Sequence, residues 1–215
     1  MKTIAIIGQK GGTGKTTLAQ ILLTGFEREG FTTVGIDLDP QASLSTWGDR
    51  REATHPEIIS LQAARLAKAH PEIAASGLDV CVIDTAGRGE QAATAAAALA
   101  DLVILPFQPT AADLVTAAET LNIVRLAQAA SCFAVLMRVK PHGTRHAEAV
   151  EFLEGQGIEV CPETIGERVT YQDAAAAGLG PQEYEPHGKA ASECQRVIMF
   201  TCQHVGMSTC QRRAS

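Results

Sequence analysis

Short β-branched runs alternate along this chain with longer stretches of helix-favouring residues, and turn residues stand between them. The alternation predicts strands at residues 3–8, 32–37, 78–84, 102–106, 132–138 and 158–161. Between them it predicts helices at 15–29, 59–75, 91–100, 111–129, 144–155 and 169–177, with a last helix at 189–205. Strands separated by helical stretches are those of a parallel sheet covered on both faces. The expectation is an α/β fold, a mostly parallel twisted sheet with helices on both faces.

Glycine and proline punctuate the pattern for physical reasons. Gly30 follows the first helix, where a left-handed residue costs glycine least, and Gly77 and Gly157 precede strands in the same way. Pro106 and Pro109 bracket a turn at the carboxyl end of the fourth strand, the edge at which open α/β sheets bind ligands. The alanine tracts at 92–98 and 174–177 read as closely packed helix, since alanine is the best helix former. No repeat and no long linker divides the chain, so one domain is expected over 1–205, followed by a flexible tail at 206–215.

Composition narrows the class. A chain of 215 residues with 46% hydrophobic content can bury one continuous core. A net charge of -6 argues against a wholly basic coat and leaves room for a local basic patch. The cysteines at 81, 132, 161, 194, 202 and 210 show neither C-x-x-C pairs nor a metal-ligand rhythm with the histidines, which fits a reduced, cytoplasmic chain. No run approaches the roughly 18 apolar residues of a spanning helix, so a soluble protein is expected.

The segment from Lys10 to Thr17 reads Lys-Gly-Gly-Thr-Gly-Lys-Thr-Thr and joins the first strand to the first helix. A phosphate needs several backbone N–H donors aimed at one spot, and a loop without Cβ crowding at a helix head supplies them. Gly11, Gly12 and Gly14 permit that turn around Thr13, Lys15 adds a point charge for the β- and γ-phosphates, and the Thr16 hydroxyl is placed for magnesium. A glycine-rich turn can merely connect strand to helix, but Lys-Thr-Thr opening the helix completes a P-loop in its confirming context. The chain reads as a P-loop NTPase taking ATP and magnesium, with Lys10 through Thr17 as the ATP-contacting set.

Two acidic constellations follow. Ile36-Asp37-Leu38-Asp39-Pro40-Gln41 places two carboxylates at a strand's carboxyl end, poor positions for a core and good ones near magnesium. Val80-Cys81-Val82-Ile83-Asp84-Thr85-Ala86-Gly87 is a buried strand ending in an acid that the strand aims at the metal. Thr16 and Asp84 are the expected magnesium residues, with Asp37 acting through water.

The loop departs from the general P-loop pattern, since Gln9 stands five positions before Gly14 and a second lysine, Lys10, follows it. As a whole, Gln-Lys-Gly-Gly-Thr-Gly-Lys-Thr-Thr resembles the deviant Walker A motif of the ParA/MinD superfamily of ATPases. The resemblance implies that Lys10 reaches across a dimer interface to the partner's nucleotide. It implies that residues 36–41 are a Walker A′ motif whose Asp39 orients the attacking water, and that 80–84 is a Walker B strand. Lys10, Lys15 and Asp39 are then the catalytic set. Residues 106–113 resemble the proline-containing segment of ParA and ParF type proteins, near nucleotide and dimer interface. The same residues also read as a helix start capped by Thr110 with Asp113 favoured by the dipole, and the two readings are compatible. Residues 165–178 resemble the family's late I-x-x-R-x-x-Y-x-x-A-x-x-x-G stretch.

The length and the resemblance together point to the small ParA type. They imply a homodimer formed with ATP that holds DNA without sequence preference and positions plasmid, chromosome or other cargo. A ParB-like partner would stimulate hydrolysis, and the protein would be nucleoid-associated in its ATP state. Arg138, Lys140, His142, Arg145 and His146 form a run without an acid, which reads either as a solvated loop face or as a phosphate contact to DNA, with Arg168, Lys189 and Arg196 extending it if the fold allows. A MinD-like membrane helix is disfavoured, because the run 197–200 is flanked by Gln, Thr, Cys and His rather than lysines. The rivals of other classes are a dethiobiotin-synthetase-like ligase on the same fold and an iron–sulfur carrier. For the latter, Cys132 and Cys161 do not stand in cluster motifs.

Overall fold

The computed structural model of the chain describes residues 1–87 and 89–208. In chain order the elements are β1 (Lys2–Ile6), α1 (Lys15–Arg28), β2 (Thr33–Asp37), α2 (Ser43–Gly48), β3 (Glu57–Ser60), α3 (Ala63–Ala74), β4 (Val80–Asp84), α4 (Glu90–Ala97), β5 (Leu102–Phe107), α5 (Ala111–Leu114), α6 (Ala117–Leu126), β6 (Cys132–Leu136), α7 (Arg145–Gly155), α8 (Thr170–Ala176), α9 (Pro181–Tyr184) and α10 (Lys189–Val205). The strands form one sheet in the order β3-β2-β4-β1-β5-β6, parallel throughout. From β1 the chain moves outward to one edge, returns to β4 and then builds the other edge. The carboxyl end of β1 therefore sits where the winding reverses, which is where such sheets bind ligands.

Alternation along each strand fills two cores. Ile4, Ile6, Val80, Val82, Ile104 and Val135 face α1 and α10, where Leu18, Leu22, Val197 and Ile198 meet them. Ala5, Val34, Ile36, Cys81, Ile83 and Val103 face the other layer, which holds Ala93, Ala96 and Ala97 of α4, Leu121 of α6 and Leu153 of α7. Burial on both faces is why the strands read as continuous apolar runs. Helix α10 packs into this core: a Cβ at Gly25 would fall 1.9 Å from Ile198 Cδ1, so α1 needs a glycine beneath it. Among the described residues no helix is long and apolar enough to cross a membrane.

The structure departs from the expected elements in five places. Residues 57–60 form the edge strand β3, and the helix expected from 59 begins at Ala63. The β-branched Ile58 fits there because Gly35 leaves it room, a Cβ at that position lying 2.6 Å from Ile58 Cδ1. The strand expected at 158–161 is only a bridge between Ala134 and Val160, since Pro162 has no N–H with which to continue the ladder. The helix expected at 111–129 is broken into α5 and α6, where the Thr116 hydroxyl donates to the Asp113 carbonyl and competes with the helical pattern. The short helices α2 and α9 were not anticipated. Gly30, Gly77 and Gly157 adopt the left-handed conformation anticipated for them, and Gly206 does so at the end of α10. Beyond it Met207 N–H donates to the Cys202 carbonyl, so the expected tail begins docked, while 209–215 lie outside the described residues.

Candidate nucleotide-binding site

The P-loop leaves β1 and enters α1 with Gly12 at φ 80° and Gly14 at φ 106°, conformations that favour glycine. A Cβ at Gly14 would also press on Met137 Cε at 3.0 Å. Lys15 is buried, and its Nζ donates to the Lys10 carbonyl at 2.9 Å. Burial lowers its pKa from the ordinary lysine value, opposed by the carboxylates of Asp84, Asp39 and Asp113. A desolvated ammonium held by one carbonyl is suited to receive a phosphate.

Thr16 Oγ1 donates to Asp84 Oδ2 at 2.7 Å. Asp84 is fully buried and its Oδ1 has no hydrogen-bond partner, as is also true of the buried Thr13 hydroxyl. Burial pushes the Asp84 carboxyl up to about 7, with the Thr16 bond and Lys15 opposing and Asp37 and Asp39 adding to the rise. A hydroxyl and a carboxylate with an orphaned oxygen are hard donors short of positive charge, and they fit magnesium.

Asp37, expected near magnesium through water, also has a structural task within its own chain. Its Oδ1 accepts from Asp39 N–H at 3.0 Å, and its Oδ2 accepts from Ser45 N–H at 2.8 Å and the Ser45 hydroxyl at 3.0 Å. With both oxygens committed and almost no exposure, it ties the Asp39 backbone to the first turn of α2. Asp39 is fixed in turn by Gln41 N–H on Oδ1 at 2.9 Å. It borders a hollow of about 640 Å³ lined by Leu38, Ser60, Leu61, Arg65 and Gln91.

Within residues 106–113 the helix start reads as expected, and the segment lies against the P-loop. Thr110 Oγ1 accepts from Asp113 N–H at 3.3 Å as a helix cap. The Asp113 side chain, 2% exposed, accepts from Lys10 Nζ at 2.6 Å and from Gln108 N–H at 3.0 Å, and Gln108 Nε2 donates to the Gly12 carbonyl at 2.7 Å. Lys10, expected to serve a partner's nucleotide, is thus paired inside its own chain. On the opposite side Gly87 rests on the P-loop, where a Cβ would fall 2.7 Å from Gly11 Cα. Gln108 and Gly87 fall inside segments singled out in the sequence, but neither was given a role, because their contacts come from loops distant in the chain. For Asp113 the one available signal was its place three residues after the capping Thr110.

Arg138, Lys140 and Arg145 line one hollow of about 410 Å³ together with His142, His146, Gln108 and Thr110. Arg168 does not join them there. Its guanidinium is held by Glu193, which also accepts from Gly166 N–H and the Tyr171 hydroxyl. Arg168 lines a smaller hollow of about 200 Å³ beside Gly14, Thr17 and Met137, to which Arg138 also contributes. Arg196 is paired with Glu163.

Residues 4–181 match a family described as the CobQ/CobB/MinD/ParA nucleotide binding domain. The maintenance of carboxysome distribution protein A of Gloeobacter kilaueensis is 30% identical over 197 residues, covering 90% of this chain and 89% of that protein. A protein ParA of Rhizobium radiobacter is 26% identical over 184 residues, covering 80% and 81%. Among solved structures, a Cyanothece McdA variant in complex with ATP superposes with a TM-score of 0.78 at 19% identity, covering 97% of each chain.

Proposed function

The chain belongs to the CobQ/CobB/MinD/ParA nucleotide binding domain family, an ATPase that works with ATP and magnesium, and we propose that it is a dimerising switch that positions cargo through ATP-regulated, sequence-independent DNA binding. The observation that carries this reading is the contrast between two lysines of one loop. Lys15 is buried and faces its own phosphate cradle. Lys10 is 41% exposed on its side chain and held by a single acid, so it is able to change partners and meet the nucleotide of a second subunit.

In this reading the P-loop residues 10–17 bind the triphosphate, and the base lies in the hollow beside Gly14 and Thr17. Thr16 and Asp84 hold magnesium, which neutralises phosphate charge when bound. Asp39, its backbone anchored by Asp37 and one oxygen by Gln41, orients the attacking water with its remaining oxygen. The cations Arg138, Lys140 and Arg145 take backbone phosphates of DNA, and a ParB-like partner stimulates hydrolysis. The relatives named for carboxysome distribution and for ParA support a cargo-positioning role and leave the choice of cargo open.

Fluorescence anisotropy with unrelated duplexes tests the proposal. Binding is expected with ATP and magnesium, weaker with ADP, indifferent to sequence and steep in salt. Replacing Arg138, Lys140 and Arg145 by Glu should remove it for every duplex, the salt slope shrinking by about 0.9 for each phosphate no longer neutralised. Equal binding in all nucleotide states would contradict the switch, and ATP consumption that depends on a small carboxylate would return the ligase reading to favour.

A further inference from the structure

Gln108 stands where two sites meet. Its side-chain amide donates to the Gly12 carbonyl inside the P-loop, and its backbone N–H holds the Asp113 carboxylate whose other oxygen holds Lys10. The same residue lines the basic hollow with Arg138, Lys140 and Arg145. Those cations are exposed, and the space of about 410 Å³ between them has room for a phosphodiester with its water.

Arg138 joins the two sites as well. Its φ of 53° is unusual for a residue with a side chain and marks a backbone held by its surroundings. The flanking bonds are Met137 N–H to the Phe107 carbonyl and Val139 N–H to the Ile165 carbonyl. The kink sets Arg138 between the basic hollow and the one beside Gly14 and Thr17.

We propose that this hollow takes one backbone phosphate of duplex DNA, and that Gln108 is the positioning residue through which that phosphate and the nucleotide on the P-loop sense each other. The inference rests on the DNA reading above. Gly12 is one of the residues that turn backbone donors toward the phosphates, and its carbonyl is held by the Gln108 amide. A phosphodiester in the hollow competes for that amide as an acceptor. Drawing it away shifts the backbone that fixes Asp113 and loosens Lys10 for the partner subunit's nucleotide, so duplex and nucleotide favour each other. Coupling of this kind is reciprocal, so duplex and nucleotide must change each other's affinity by the same factor.

The test titrates a non-hydrolysable ATP analogue with magnesium into the full chain with and without a short duplex, and the duplex with and without the analogue. For the wild type each ligand should raise the other's affinity, and both ratios should agree at about 5-fold or more. Gln108→Met keeps the length of the side chain and removes the donor. It should bind the duplex through Arg138, Lys140 and Arg145 with somewhat lower affinity, while both ratios fall toward one, and Gln108→Ala should do the same. A full wild-type ratio in Gln108→Met overturns the proposal and leaves the DNA reading standing. Undiminished duplex binding when Arg138, Lys140 and Arg145 are all Glu overturns the DNA reading itself. If heparin, a polyanion without phosphodiesters, changes analogue affinity as much as duplex does, the assignment of the hollow to DNA is wrong.

Discussion

The two flanks of the P-loop carry charge on opposite terms. On the β2 and β4 side, Asp37 and Asp84 are buried, and every oxygen but Asp84 Oδ1 has a partner. On the β5 and β6 side, Arg138, Lys140 and Arg145 are exposed around an open hollow. Buried charge is costly unless matched, so the acidic flank is rigid and lacks one positive charge. Exposed charge costs little and stays available to any phosphate that approaches. The first flank is built for chemistry and the second for encounter.

The strongest way to break this comparison is at its centre. Lys15→Ala removes the buried cation between the flanks and should cost about 3–5 kcal/mol of ATP affinity, enough to abolish the calorimetric signal. Retained affinity would remove the loop's assignment. Next comes the unmatched acid. Because Asp84 is pushed up to about 7, the native state holds a proton that the unfolded chain has lost between about pH 4 and 7. Stability without magnesium therefore falls as pH rises through that window, on the order of 4 kcal/mol in all. Thermal melts should show this fall, its relief by magnesium at pH 8, and a smaller fall in Asp84→Asn. Identical profiles for the wild type and Asp84→Asn would contradict the account of a carboxylate waiting for a cation.

Asp39→Ala should slow hydrolysis about a hundredfold in a single-turnover assay and leave ATP binding intact, since the phosphate cradle and magnesium residues remain. The smallest effect belongs to the other flank. Lys140→Gln should change stability, read from the denaturation midpoint, by no more than about 0.5 kcal/mol, because an exposed cation contributes little to the fold. A large drop there would mean that the basic flank is structural.

The same contrast explains what was legible in the sequence. The central strands and the first helix were readable because burial on both faces imposes continuous apolar runs, and the P-loop glycines because φ 80° and 106° leave few other choices. The edge was not readable: β3 has half-exposed isoleucines between an exposed Glu57 and Ser60 and too few residues to display a period. Asp84 was evident from the strand that ends in it. The task of Asp37 was hidden, because it depends on Ser45 in a short helix that no pattern announced. The pairings of Lys10 with Asp113 and of Gln108 with Gly12 link residues about a hundred positions apart, and only the closing of the sheet brings them together. Arg168 looked like the other cations, yet Glu193 on α10 claims it.

Light scattering of the Asp39→Ala and Lys10→Ala variants with ATP and magnesium tests the switch most directly. A protein that cannot hydrolyse cannot leave the state that ATP selects, so Asp39→Ala should accumulate as a dimer. Lys10→Ala lacks the cation proposed to meet the partner subunit's phosphates and should remain largely monomeric, although its own cradle is intact. A monomeric Asp39→Ala together with a fully dimeric, active Lys10→Ala would contradict the account.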